Sequence, residues 1–299
     1  MPPLPPRVLM DRVGWTVGSR HPGEVYEERG GQQWAFIRSK LSPDWNEQPR
    51  RVLDFGCGPG RVLHHAIGTP NLELHACDID QRAIDWMHEH LGAAVQVFRN
   101  EQMPPLPCPD AHFDLIYAFS VFTHLVESWS AWLLELHRLL KDDGLLIATV
   151  AGPGHSSLAG EPINEQVIGM NVFTPSHHWD GGGPLIMHSQ WWLRAHWGRA
   201  FEIVELTPGD VTAPPPLFSQ SVLVLRKRPG ELTIEELERP EEGEPREFAA
   251  LRQNIGSLSR EIERHSIYLR SRSWRMTAPI RRAAIAWRRW RARSRGSAR

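Results

Sequence analysis

Val52 to Arg61 reads VLDFGCGPGR: an acid inside a short apolar run, three glycines at alternate positions, then a helical stretch. Glycine opens backbone conformations closed to other residues and lets a ligand approach main-chain atoms with no Cβ in the way. A strand that feeds a helix through such a turn belongs in an open α/β sheet, where the turn lies in the crevice at the carboxyl ends of the strands.

The rest of the chain extends that reading. Strands are predicted at 51–55, 72–76, 94–98, 113–119, 144–150, 201–206 and 221–225, with helices at 61–67, 80–91, 128–140 and 189–197. Asp80 and Ser128 stand at N-cap positions. Alternation of short apolar runs with helical patterns implies βαβ units. The expected architecture is a doubly wound, mostly parallel seven-stranded α/β sheet closed by an antiparallel final pair. Residues 151–188 hold seven glycines, four prolines and four histidines without a clear period, and read as a long loop or lid.

Net charge hides the layout of this chain. The 34 basic and 35 acidic side chains nearly cancel, yet residues 231–247 carry eight acids against two arginines and residues 270–299 carry eleven arginines and no acid. Such blocks usually lie outside a packed core. The expected organisation is a domain over 1–230, an acidic linker over 231–247, a short heptad helix over 248–270 and an arginine-rich amphipathic tail over 271–299. In the heptad stretch Phe248, Leu251, Ile255, Leu258, Ile262 and Leu269 form an apolar seam, for which either a second copy or the body is a fitting partner.

Three cysteines without CxxC spacing imply neither a disulfide framework nor a cysteine-rich zinc site. No signal-peptide pattern and no bilayer-length apolar run is present, so a cytoplasmic protein is expected, peripheral on the inner membrane face if the tail anchors it. No metal set is expected: a histidine group near Asp180 has no helical i, i+4 ligand pair.

The glycine turn separates two ligand classes. A dinucleotide fingerprint needs GxGxxG, and counting from Gly56 its third glycine falls on Arg61. The spacing here is GxGxG, and the preceding Asp54 suits a cationic amino group better than a pyrophosphate, which it would repel. In these residues the sequence resembles the class I S-adenosylmethionine-dependent methyltransferases, whose first motif is (V/L)LDxGCGxG. Ala76-Cys77-Asp78-Ile79-Asp80 resembles the family's second strand end, where an acid accepts from both ribose hydroxyls; Asp78 holds that place. Asn100 departs from an aspartate often found beside the adenine amine but still offers an acceptor. Residues 105–117 resemble the stretch LPFPD…FDLV. The likeness spans about residues 8–228 and implies S-adenosyl-L-methionine as cofactor, with Asp54, Gly56, Cys57, Gly58, Gly60, Asp78, Ile79, Asn100 and Phe119 as its binding residues.

Two further likenesses concern the acceptor. Ser120 to Leu125 reads SVFTHL, and 273–281 reads SWRMTAPIR; both resemble elements of bacterial enzymes that build cell-surface polysaccharides. They imply O-methylation of a sugar hydroxyl in a glycan or its lipid-linked precursor, with a methyltransferase for a small molecule or protein, or a non-catalytic cofactor-binding scaffold, as alternatives. A sugar hydroxyl needs a base, and His124, at the end of the fourth strand, is the candidate. The plainer reading is that Thr123-His124 caps the next segment or hydrogen-bonds a loop. His188 and His177-His178 follow as acceptor-side residues, and Trp179 as a sugar platform; core packing accounts for most other tryptophans. Ile280, Ala283, Ala284, Trp287 and Trp290 fall near one face of the tail. A basic helix with tryptophan on its apolar side suits an anionic membrane surface more than nucleic acid.

Overall fold

The structure is a computed structural model that describes residues 3–13, 18–152, 164–173, 183–209, 220–270, 276–277 and 279. It divides into two compact units, Met1–Gln253 and Asn254–Arg299.

The first unit opens with helices α1 (Arg7–Met10) and α2 (Pro22–Ser39). The alternating part follows as β1 (Arg50–Phe55), α3 (Leu63–Ala66), β2 (Leu72–Asp78), α4 (Gln81–Leu91), β3 (Val95–Arg99), β4 (Phe113–Ala118), α5 (Trp129–Leu139) and β5 (Leu140–Ala151). Short strands β6 (Met170–Val172) and β7 (Ile186–His188), helix α6 (Gln190–Ala200), and strands β8 (Phe201–Thr207) and β9 (Gln220–Lys227) complete the sheet. Helix α7 (Ile234–Glu238) follows, and α8 (Pro245–Arg270) begins in the first unit and continues into the second.

The strand path is β3-β2-β1-β4-β5-β7-β6, with β9 antiparallel to β5 and β8 antiparallel to β9. The expected doubly wound sheet is present. Its described strands number nine rather than seven, because β6 and β7 arise inside the stretch read as a loop. Their signal is weak: each has three residues, and β7 joins β5 through the single pair Ala151↔Met187. Within the acidic stretch 231–247, α7 carries a capping box of Thr233 and Glu236 and buries Leu237. Ser128 precedes α5 as expected, but its side chain makes no capping hydrogen bond, whereas Asp80 Oδ1 accepts from Arg82 N at 3.1 Å at the head of α4.

Central strands are apolar on both faces because helices cover both. Along β1, Leu53 and Phe55 join Trp132 and Leu136 of α5 and Trp197 of α6 on one face, while Val52 packs with Trp34 and Ile37 of α2 and Ile84 and Met87 of α4 on the other. Helix α2 lies close against the glycine turn: a Cβ on Gly30 would stand 2.3 Å from the carbonyl oxygen of Arg61.

In the turn itself Gly56, Gly58 and Gly60 all have positive φ. Gly60 is at +81°, and a Cβ there would meet Met87 Sδ at 2.5 Å. Gly60→Ala is expected to lower unfolding stability by about 1–3 kcal/mol, read from urea denaturation. An unchanged midpoint would show that the turn relaxes without cost.

Along α8 the seam residues Phe248, Leu251, Ile255, Leu258, Ile262 and Leu269 are all exposed, so the body does not cover Phe248 or Leu251. Among the described residues no helix is long and apolar enough to cross a membrane.

Candidate active site

Three strands deliver one polar acceptor each to the same edge of the sheet. β1 brings Asp54, β2 ends on Asp78, and Asn100 follows β3. The register sets these heights, since Asp54 pairs with Ala76 and Phe55 with Cys77, so the glycine turn begins where β2 reaches Asp78. Gly56 N and Cys57 N donate to the Cys77 carbonyl at 2.9 and 3.0 Å, which closes the turn onto β2.

Asp78 is braced by the backbone. Gly58 N donates to its Oδ2 at 2.7 Å and Asp80 N to its Oδ1 at 2.8 Å. One donor per oxygen leaves lone pairs for a second, so the carboxylate can still accept from a vicinal diol. Burial raises its pKa, and those backbone donors with the nearby Arg12 guanidinium work against the rise. Asn100 Nδ2 donates to the Glu101 carbonyl at 2.8 Å, while Asn100 Oδ1 is buried without a partner among the described residues. A buried acceptor of this kind calls for a donor from a ligand.

Asp54 is 4% exposed. Burial pushes its pKa up to about 8, with Tyr117 and Arg61 working against the rise. A cationic group placed beside it would restore the carboxylate. Cys57 is buried too, its Sγ 3.2 Å from the Gly58 carbonyl, and burial holds it as the thiol. Ile79 and Phe119 are half-buried at the ends of β2 and β4, with the Phe119 ring 5.7 Å from that of Tyr117. The set fits an amino acid joined to an adenosine: Asp54 for the amine, Asp78 for the ribose hydroxyls, Asn100 Oδ1 for the adenine amine.

Because the amine needs an ionised Asp54, binding must release the proton that the ligand-free carboxyl carries below pH 8. Affinity is therefore expected to rise roughly tenfold per pH unit from pH 6 to 7.5, with the slope absent in Asp54→Asn. Calorimetry across that range reads it, and a flat profile in the unaltered protein would remove Asp54 from this role.

His124 lies just past β4, exposed at the surface. Its Nδ1 donates to the Pro184 carbonyl at 2.7 Å. A carbonyl can only accept, so the proton is on Nδ1 and Nε2 of the neutral ring is left as an acceptor. Desolvation by the flanking chain lowers the imidazole pKa despite the exposed edge, and the Pro184 carbonyl partly opposes this. The loop contact of the plainer reading is present, and it also sets the tautomer a base requires.

His188 differs from expectation. It is 2% exposed, neither ring nitrogen has a partner among the described residues, and its ring lies 5.6 Å from Trp192 and 6.3 Å from Trp197. Burial drives its pKa down to about 3, which makes it a neutral core imidazole. Trp191, Trp192 and Trp197 are core residues, as expected. His155, His177, His178, Trp179 and Asp180 lie outside the described residues, as do most of the tail and six of the nine residues of the SWRMTAPIR element.

Several site residues have no local sequence signal. Arg12 forms an ion pair with Asp80 from 68 positions away. Tyr26 of α2 is buried near Arg61 and Asp54, its hydroxyl without a partner among the described residues. Ser120 holds φ +61° while its N–H donates to Thr149 Oγ1 at 2.8 Å and its side chain meets Gln220. A positive φ three residues past Tyr117 is invisible in SVFTHL.

Comparison with known proteins agrees with this geometry. Residues 26–202 match a family described as "Methyltransferase domain". A malonyl-[acyl-carrier protein] O-methyltransferase of Legionella pneumophila is 29% identical over 107 residues, 35% of this chain and 37% of that protein. An uncharacterized methyltransferase of Schizosaccharomyces pombe is 31% identical over 107 residues, 31% of this chain and 37% of that one. The chain thus spans little more than a third of the length of the curated relatives it matches. In fold it is similar to an S-adenosylmethionine dependent methyltransferase from Mesorhizobium loti (TM-score 0.51, 18% identity, covering 66% of this chain and 99% of that one). A putative methyltransferase of that kind from Listeria monocytogenes is similar too (TM-score 0.50, 13% identity, 66% and 99% covered).

Proposed function

The chain belongs to the methyltransferase-domain family as a class I S-adenosylmethionine-dependent member, and on that premise we propose that it O-methylates a sugar hydroxyl of a cell-surface glycan or its lipid-linked precursor. One observation supports the hydroxyl acceptor: His124, in the segment after β4, is held by Pro184 in the tautomer that leaves Nε2 as an acceptor. A carboxylate acceptor would need no such base.

When bound, the cofactor supplies a methyl carbon on a sulfonium, an electrophile open to direct displacement. Asp54 would hold its amine, Asp78 its ribose hydroxyls and Asn100 its adenine. His124 Nε2 would take the proton of the acceptor hydroxyl whose oxygen receives the methyl group. Alignment of acceptor oxygen and methyl carbon within ~3–3.5 Å accounts for much of the rate in such a reaction.

The sugar class rests on SVFTHL and SWRMTAPIR, and the lipid-linked setting on the arginine-rich tail as a membrane-surface anchor. Incubation of the protein with methyl-labelled cofactor and fractionated lipid-linked glycans tests it. Label in the sugar, removed by glycosidic cleavage from the lipid, is the expected result. Label confined to a protein or to a soluble small molecule would replace this acceptor with another.

A further inference from the structure

At the opposite end of the sheet from the glycine turn, we propose that Glu73, His75 and His112 form a site for a zinc-type divalent cation. Glu73 and His75 lie in the first half of β2, and His112 directly precedes β4. Strand β1 runs between β2 and β4, with Arg51 opposite Glu73 and Leu53 opposite His75. An ion here would tie β2 to the start of β4 across β1.

The donors are already gathered. One ligand atom from each residue lies within 4.8 Å of the other two. Glu73 Oε1 and His75 Nε2 are hydrogen-bonded at 3.0 Å, and parting by a few tenths of an ångström would bring them to the ~3.3–3.6 Å that separates two ligands of a tetrahedral ion at 2.0–2.2 Å. The rings of His75 and His112 stand nearly perpendicular with centroids 5.5 Å apart, and Phe113 packs edge-on against both. Only the half-buried His112 and the exposed carboxylate must close in, while His75 is fixed at 5% exposure.

Surrounding groups orient the carboxylate as outer partners of a metal ligand do. Arg51 Nε donates to Glu73 Oε2 at 2.9 Å and Gln96 Nε2 donates to Oε1 at 2.9 Å, while the second lone pair of Oε1 meets His75 Nε2, a hydrogen bond that a bound ion would replace. Two imidazoles and a carboxylate suit zinc or cobalt more than magnesium or calcium, with water completing the tetrahedron from the solvent side. Residues 73, 75 and 112 fit no short metal motif, so the sequence alone does not suggest them. The site lies toward the amino ends of β2 and β4, whereas Asp54 and Asp78 lie toward the carboxyl ends of β1 and β2, and its role is to brace the sheet.

Titration of the full chain with zinc chloride, followed by melting temperature, and with cobalt chloride, followed by visible absorption, tests this. One equivalent should bind with tetrahedral cobalt bands and no thiolate charge-transfer band, and the melting temperature should rise roughly 5–10 °C at zinc a hundredfold above Kd. His112→Asn and Glu73→Gln should each weaken binding at least ~10-fold while keeping the fold by circular dichroism and the affinity for S-adenosylhomocysteine. Absence of binding, equal binding in both variants, or a thiolate band pointing to Cys57, Cys77 or Cys108 would overturn the proposal.

Discussion

His124→Ala should lower methyl transfer to the hydroxyl acceptor at least ~100-fold while leaving the Kd for S-adenosylhomocysteine within about twofold. The two readouts separate because His124 belongs to the loop after β4, whereas the acceptors for the cofactor are carried by the ends of β1, β2 and β3. Loss of the ring also frees the Pro184 carbonyl, a surface group that water can satisfy. The pH profile adds a discriminating feature. Desolvation lowers the imidazole pKa, so the basic form dominates at pH 7, and the rate should fall only as the pH drops below the ordinary histidine range. His124→Gln keeps a side-chain contact to the loop but supplies no base, and should be as slow as the alanine variant. A rate unchanged in either variant would discard His124 as the base and leave only its loop contact.

Asp78→Ala should weaken cofactor affinity ~100-fold or more. The carboxylate does two things at once: it offers acceptors to a vicinal diol, and it holds Gly58 N and Asp80 N in place at 2.7 and 2.8 Å. Charged acceptors of this kind are worth about 1.5–3 kcal/mol per hydrogen bond when lost, so two ribose contacts are enough for that fold-change. Asp78→Asn keeps one acceptor oxygen and should fall between wild type and alanine. Calorimetric titration with S-adenosylhomocysteine measures all three, and an unaltered Kd in the alanine variant would overturn the ribose assignment.

What could be read from the chain beforehand was local. The turn from Asp54 to Gly60 signals itself through an acid and three glycines within seven positions, while Asp78 and Asn100 were named through the resemblance of their segments to the family's second and third strand ends. Helix α4 was readable from its cap and its apolar face. Helix α2 was not, because adjacent glycines at 30 and 31 and scattered charges mask the buried positions Tyr26, Gly30, Gln33, Trp34 and Ile37, which make sense only against the Arg61 carbonyl and the second face of the sheet. The same limit applies to β6 and β7, three residues each, whose pairing partners lie elsewhere in the chain.

The site shows this division again. His124 could be nominated from its place after the fourth strand, but its tautomer depends on Pro184, 60 positions on. His188 could be nominated as an acceptor-side residue, and only its burial against the rings of Trp192 and Trp197 reveals it as a core residue. Arg12 reaches Asp80, and Tyr26 reaches the neighbourhood of Arg61 and Asp54, from a part of the chain that carries no motif. Long-range packing, rather than residue type, decides each of these cases.

The central claim is that the edge formed by Asp54, Asp78 and Asn100 is built for S-adenosylmethionine and not for a dinucleotide. A competition titration tests it most directly, with S-adenosylhomocysteine bound to the full chain and NAD added as competitor. The account predicts one equivalent of S-adenosylhomocysteine at micromolar Kd, lost in Asp78→Ala and undisturbed by millimolar NAD. Displacement by NAD, or no binding of S-adenosylhomocysteine at all, would contradict it.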